Sequence, residues 1–279
     1  MFKRAGSIRQ IGLWGMVALA SSCGAAEEPV TVTFSARVGD APLRCGQTYS
    51  GLGSSASDFT VGDLRFYIHG VNLITADGRD VPLALDQQPK WQKEDVVLLD
   101  FEDGSATCES GTPETNSTVV GTAPPGDYTG VRFTLGVPFA LNHANAATAA
   151  APLNLTSMFW NWNKGYKFLR VDGTTPGLES WVFHLGSTAC EGDNAGNVTD
   201  CDNPNRPQIS FDEVRPTSDS IIFDLAGLLS GADLESKTTN TPAGCMSGLT
   251  DPDCEVYFNN MGMPWNGSEA PKQQVFRVE

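Results

Sequence analysis

The stretch Asp63-Leu64-Arg65-Phe66-Tyr67-Ile68-His69 decides how the rest of the chain is read. Successive side chains of an extended backbone point to opposite faces, so Leu64, Phe66 and Ile68 share one face and Arg65, Tyr67 and His69 share the other. The same period-2 pattern runs on to residue 74 and recurs at 30–38, 96–101, 128–135, 166–171, 181–185, 221–225 and 256–258. Clusters of Gly, Pro, Asn and Asp separate these runs, as in Thr75-Ala76-Asp77-Gly78 and Pro124-Pro125-Gly126-Asp127. Strands at this spacing predict an all-β fold: an antiparallel β-sandwich or barrel-like domain. Helical periodicity is scarce, and a short helix is expected only in the alanine-rich run 143–151.

The ends of the chain bound where it works. Lys3, Arg4 and Arg9 precede a short apolar run over 11–20, too brief to span a bilayer and arranged as a secretory leader over residues 1–22. Ala20-Ser21-Ser22 directly before Cys23 resembles a bacterial lipobox, which implies a lipid on Cys23 and membrane attachment through it; an ordinary leader with a soluble product is the alternative. Residues 23–29 then form a tether, and 30–279, which lacks repeats and long linkers, forms a single domain. The expected location is the periplasm or the outer membrane. Removing Lys3, Arg4 and Arg9 leaves 15 basic against 33 acidic residues, a net charge of −18. That field disfavours nucleic acid and anionic membrane surfaces and suits cations or a basic protein partner.

Beyond Cys23 six cysteines remain, an even number that in an exported chain reads as disulfides. Six allow fifteen connectivities. Short spacing favours Cys190–Cys201 and Cys245–Cys254, leaving Cys45–Cys108 as the long closure and pinning loops over 188–209 and 227–250. No C-x2-C spacing supports a zinc or iron–sulfur site.

His69, His143 and His184 are the entire imidazole supply. His184 lies opposite the apolar set Trp181, Phe183 and Leu185, as His69 lies opposite Leu64, Phe66 and Ile68, so both sit off the core face where a loop can cover them. Neutral imidazoles suit copper, zinc, nickel or iron, and ligands distant in sequence are normal for sheet-built sites. The competing reading is three separate, hydrogen-bonded histidines. Met158, Met246, Met261 and Met263 are candidate soft ligands or simply packing residues. Asp100, Glu102 and Asp103 read first as a strand entering a turn and second as a calcium site. Trp91, Trp160 and Trp162 are candidates for aromatic packing or, if exposed, for a sugar-binding platform. No G-x-S-x-G or H-E-x-x-H motif supports a hydrolase.

Several blocks together carry a resemblance to a known family. They are Arg65-Phe66-Tyr67-Ile68, Leu98-Leu99-Asp100-Phe101-Glu102-Asp103-Gly104, and Phe133 through His143. They continue in Pro152-Leu153-Asn154-Leu155-Thr156, Gly165-Tyr166-Lys167-Phe168, His184-Leu185-Gly186-Ser187-Thr188 and Gly244-Cys245-Met246-Ser247-Gly248. The chain resembles the MbnP-like proteins, also described as metallo-mystery pair system four-Cys motif proteins. The resemblance implies a copper-binding protein whose partner is a MauG-like di-haem peroxidase, with a tryptophan oxidised to kynurenine near histidine ligands. Carried onto this chain, it points to His143 and His184, then His69, as metal ligands. Trp91 is the first candidate for kynurenine, with Trp160 and Trp162 as alternatives. The chain is then the substrate of its partner rather than a catalyst. A carbohydrate-binding lipoprotein and a copper-dependent oxidoreductase are the rival expectations.

Overall fold

The computed structural model describes residues 1–2, 26–161, 163–193 and 197–279. The expected leader beyond its first two residues, the expected lipid site Cys23 and the candidate Trp162 lie outside these. Twelve strands and three short helices carry the description. They are β1 (Glu28–Val38), β2 (Ser57–Thr75), β3 (Val96–Asp100), β4 (Thr118–Ala123), β5 (Tyr128–Leu135), α1 (Phe139–Asn142) and β6 (Leu169–Thr174). Then follow β7 (Trp181–Leu185), β8 (Thr188–Gly192), β9 (Val198–Asn203), β10 (Gln208–Phe211), β11 (Ser220–Asp224), α2 (Leu225–Leu229), α3 (Cys254–Asn260) and β12 (Phe276–Val278).

The fold is all-β, with two large sheets packed face to face. One runs β12-β11-β1-β4 and ends on the short strand Ala84–Leu85; the other runs β10-β5-β2-β6-β7 and ends on Gly244–Cys245. Most pairs are antiparallel, as the alternation predicts. β1 with β11, and β7 with Gly244–Cys245, are parallel.

Alternation decides which side chains meet between the sheets. In β1, Val30, Val32, Phe34, Ala36 and Val38 are buried while their neighbours are not. Phe34 meets Phe66 at 6.3 Å and Phe133 at 5.5 Å between ring centroids, and Phe66 meets Phe223 at 5.5 Å. Each such buried side chain contributes roughly 1.5–3 kcal/mol.

Strand β2 is the axis of the molecule, and both of its faces are covered. Leu64, Phe66 and Ile68 join the aromatic core; Arg65 and Tyr67 on the other face are equally buried. Loops form that second cover. Tyr67 donates its hydroxyl hydrogen to the Pro152 carbonyl at 2.9 Å, and Lys167 and Arg170 both donate to the Ser157 carbonyl, at 2.9 and 3.2 Å.

Four expectations change in the structure. The stretch 188–209, expected as a pinned loop, instead pairs its two arms as β8 and β9 across the Cys190–Cys201 bridge and ends in β10. The run 256–258 lies inside helix α3, started by the Cys254 cross-link rather than by strand propensity. The run 166–171 is split, because Gly165–Tyr166 pairs locally with Phe159–Asn161 and only from Leu169 does the chain join the large sheet. The short helix falls at Phe139–Asn142, ahead of the alanine run. The disulfides pair as the spacing favours: Cys45–Cys108, Cys190–Cys201 and Cys245–Cys254.

Candidate metal centre

The loop-covered face of the second sheet carries a row of charged side chains set by strand register. Asp100 on β3 pairs with Arg65 on β2, Arg65 with Arg170 on β6, and Arg170 with His184 on β7. One step along, Asp63 pairs with Asp172. Side chains directly opposite on one face sit close enough to interact, so the register alone assembles this network.

The contacts are short and interlocked. Arg65 grips both carboxylate oxygens of Asp63, and Ser110 bridges Arg65 and Asp63 at 2.8 and 2.9 Å. Arg170 reaches Asp63 at 3.2 Å and Asp172 at 2.9 Å. His184 Nε2 lies 2.6 Å from Asp172 Oδ1. Burial raises the Asp172 carboxyl, but the hydrogen bonds from His184 and Arg170 outweigh it and pull it down to about 2. Burial lowers the His184 imidazole, and the Asp172 hydrogen bond only partly offsets this. His184 is therefore neutral at pH 7, donating Nε2–H to an ionised Asp172. Its lone pair then resides on Nδ1, which is buried without a hydrogen-bond partner. A carboxylate fixing one imidazole nitrogen so that the other is left as a donor is the arrangement that backs metal-binding histidines.

Trp160 packs against the end of the strand that carries this donor. Gly186 follows His184 by two positions, just past the end of β7, and a β-carbon added there would meet the Trp160 ring at 2.4 Å and the Tyr166 carbonyl at 2.7 Å. The indole therefore lies flush on the glycine. Its Nε1 is buried without a partner. The outer edge of Trp160 opens on a cavity of about 620 Å³ shared with Asn161, Lys164, Asn240, Met246 and Asp251.

His143 closes the same end of the sheet. Asn142 accepts the Tyr166 backbone N–H at 3.0 Å, which ties α1 to the strand carrying Tyr166 and so to Gly186. His143 Nε2 lies 3.1 Å from Asn142 Nδ2 and 3.5 Å from Cys201 Sγ. His143 thus lies against the β8–β9 ribbon, Trp160 packs on Gly186, and His184 sits two positions before that glycine near the end of β7.

His69 lies on the same sheet face but further along. Its Nδ1 is 2.8 Å from the Gly136 carbonyl, which fixes Nε2 as the lone-pair nitrogen, and burial lowers its pKa. In register terms His184 stands level with Arg65, so His69 is four residues along and two strands across, roughly 16 Å away at ordinary sheet spacings. Trp91 precedes the minor strand Gln92–Lys93 beyond β3, where Leu98 N–H donates to its carbonyl and the Lys90 ammonium sits 4.9 Å above its ring. That is about four strands, or ~19 Å, from β7.

In the acidic turn after β3 one oxygen of each carboxylate is held by the backbone, while Glu102 Oε2 is buried without a hydrogen-bond partner. Asp100 Oδ1 accepts Glu102 N–H, Glu102 Oε1 accepts Gly104 N–H, and Asp103 Oδ1 accepts Ser105 N–H, each at 3.0 Å. Glu102 is buried and Asp103 exposed, so the three carboxylates diverge.

Two groups of potential metal-ligand atoms lie within 4.8 Å of one another among the described residues: His143 with Cys190 and Cys201, and Glu102 with Cys45 and Cys108. In both, the sulfurs are joined to each other, so each group presents one strong donor while the disulfide stands. Asp172 escaped the sequence reading as the partner of His184; the sign was there in Arg170 and Asp172, two charged residues alternating on an otherwise apolar strand.

Residues 27–247 match the family model described as MbnP. The chain belongs to the MbnP family. A solved structure titled MbnP from Methylosinus trichosporium is similar over 91% of this chain and 98% of that one, at 31% identity and a TM-score of 0.79. No curated protein matches. Membership of the MbnP family therefore spans both sheets and the face that carries His143, Trp160 and His184.

Proposed function

We propose that this MbnP-family chain is an exported copper-binding protein, periplasmic or held at the outer membrane, with its site at the β7 end of the second sheet. The observation that carries the reading is His184 Nδ1: a buried imidazole lone pair, unpartnered, and backed by Asp172. His143 supplies a second imidazole at the same end, and copper accepts such nitrogen donors well. His184 and His143 would hold the metal, which would supply a redox-active centre there. The residues' own work is to present neutral nitrogen and exclude water. His69 stands apart from that pair and is the least favoured of the three as a ligand.

Trp160 is the tryptophan we assign to oxidation by a di-haem peroxidase-like partner, in place of Trp91. It packs on Gly186, two positions after His184, with its buried Nε1 unpaired and its outer edge open to a cavity through which a partner can act. Conversion to kynurenine is a net loss of one carbon and gain of one oxygen. Protein purified from its native host is expected to carry stoichiometric copper and that mass change, mapped to the peptide containing Trp160. Unchanged copper in the double variant His143→Ala/His184→Ala would overturn the site; an unmodified Trp160 peptide would overturn the oxidation.

A further inference from the structure

The contact between His143 and the Cys190–Cys201 disulfide has no role in the copper reading above. His143 Nε2 is 3.5 Å from Cys201 Sγ, and all three ligand atoms fall within 4.8 Å. The disulfide joins directly opposed residues of β8 and β9, a two-stranded ribbon outside both large sheets. Most residues of these two strands are exposed or half-buried, Cys190 among them. In each of the two His/Cys/Glu groups one cysteine is half-buried, Cys190 or Cys45, and the other buried, but the Cys45–Cys108 bridge closes a separation of 63 residues beside the fully buried Glu102, whereas Cys190–Cys201 joins neighbouring strands of the outlying ribbon. Cys245 and Cys254 are likewise fully buried. An external dithiol therefore meets Cys190–Cys201 with least disturbance of the core.

We infer that Cys190, Cys201 and His143 form a second, redox-gated site for a thiophilic cation, Cu(I) above all. In the opening step an external dithiol is oxidised to its own disulfide. The two electrons and two protons it gives up cleave the Cys190–Cys201 bond to two thiols. Binding of the cation then releases both thiol protons and leaves two thiolate sulfurs and one imidazole nitrogen around the metal, a donor set that prefers Cu(I) or Zn(II) to harder ions. The ribbon holds the two sulfurs side by side from adjacent strands, and α1 brings the imidazole to them. This site goes beyond the copper reading and shares only His143 with it.

The test uses the whole protein, oxidised and after mild treatment with a dithiol, under anaerobic conditions. Alkylation followed by peptide mapping is expected to find Cys190 and Cys201 modified first. Titration with Cu(I) against a competing chelator is expected to show one more equivalent bound by the reduced form than by the oxidised form, with sulfur in the X-ray absorption spectrum. The variant Cys190→Ser/Cys201→Ser loses that extra equivalent and keeps whatever the oxidised protein binds. His143→Ala weakens the extra equivalent at least tenfold, while His184→Ala leaves the extra equivalent in place and lowers only the copper that both forms bind without sulfur. Modification beginning at another disulfide, equal Cu(I) uptake by both forms, or extra copper without sulfur ligation would each overturn the proposal. Copper lost equally from the oxidised and reduced His184→Ala protein bears on the first site and not on this one.

Discussion

At the scale of single residues, the covered sheet face explains why so many charges tolerate burial. Asp63, Arg65, Arg170 and Asp172 each find an opposite charge within hydrogen-bonding reach, and breaking such a set strands a partner, at a cost of about 3–5 kcal/mol. Asp172 also orients His184, so Asp172→Ala is expected to weaken copper binding by about 10–100-fold, read by competition titration. Asp100 behaves in the opposite sense. Burial raises its carboxyl to about 7, the Glu102 N–H and Arg65 only partly countering this. Its folded-state pKa thus lies above its unfolded value, the folded protein holds the proton longer, and stability falls as pH rises from about 4 to about 7. Asp100→Asn keeps an acceptor for the Glu102 N–H and removes the ionisation. Chemical denaturation at pH 8 is expected to find that variant more stable than the parent by on the order of 2 kcal/mol, with the gap closing near pH 4. A gap that persists at pH 4 would show that the effect is not ionisation.

At the scale of elements, Gly186 is the position where strand and indole share space. Any β-carbon there drives into the Trp160 ring and the Tyr166 carbonyl. Gly186→Ala is expected to cost about 1–3 kcal/mol and to displace Trp160, seen as altered tryptophan fluorescence and reduced copper retention. Much of the element layout was legible in the alternation: 128–135 and 181–185 match strands β5 and β7 residue for residue. Val256-Tyr257-Phe258 misled because its residues favour strands, while the neighbouring cross-link and the buried faces of Tyr257 and Phe258 are satisfied by a helical turn. Strand β4 was not singled out because Gly121 interrupts the pattern; there the backbone approaches the Ala84 carbonyl too closely for a side chain. Of the site, the position of His69 and His184 off the core face was readable from period 2. That Trp160 rather than Trp91 packs on Gly186 at the end of β7 depends on which segments are neighbours, which no local pattern encodes.

At the scale of the whole molecule, three cross-links contribute unequally. In the chain-entropy model, closing 63 residues through Cys45–Cys108 restricts the unfolded chain by about 4 kcal/mol, whereas the spans of 9 and 11 residues contribute about 2.5–3 kcal/mol each. Replacing Cys45 and Cys108 by serine is expected to lower the thermal midpoint more than replacing Cys190 and Cys201, measured by calorimetry. Equal losses would point to native-state contacts around Glu102 as the larger effect.

The parallel pairing of β1 with β11 bears on the order of events during synthesis. Residues 28–38 emerge well before residues 220–224, the strand that covers one of their edges. At ribosomal speeds of roughly 5–20 residues per second, the gap between them lasts roughly 10 to 40 s. Through that interval β1 presents Val30, Val32 and Phe34 beside an open backbone edge, an invitation to any other unfinished chain. The molecule thus depends, early in its life, on something that keeps its first strand waiting.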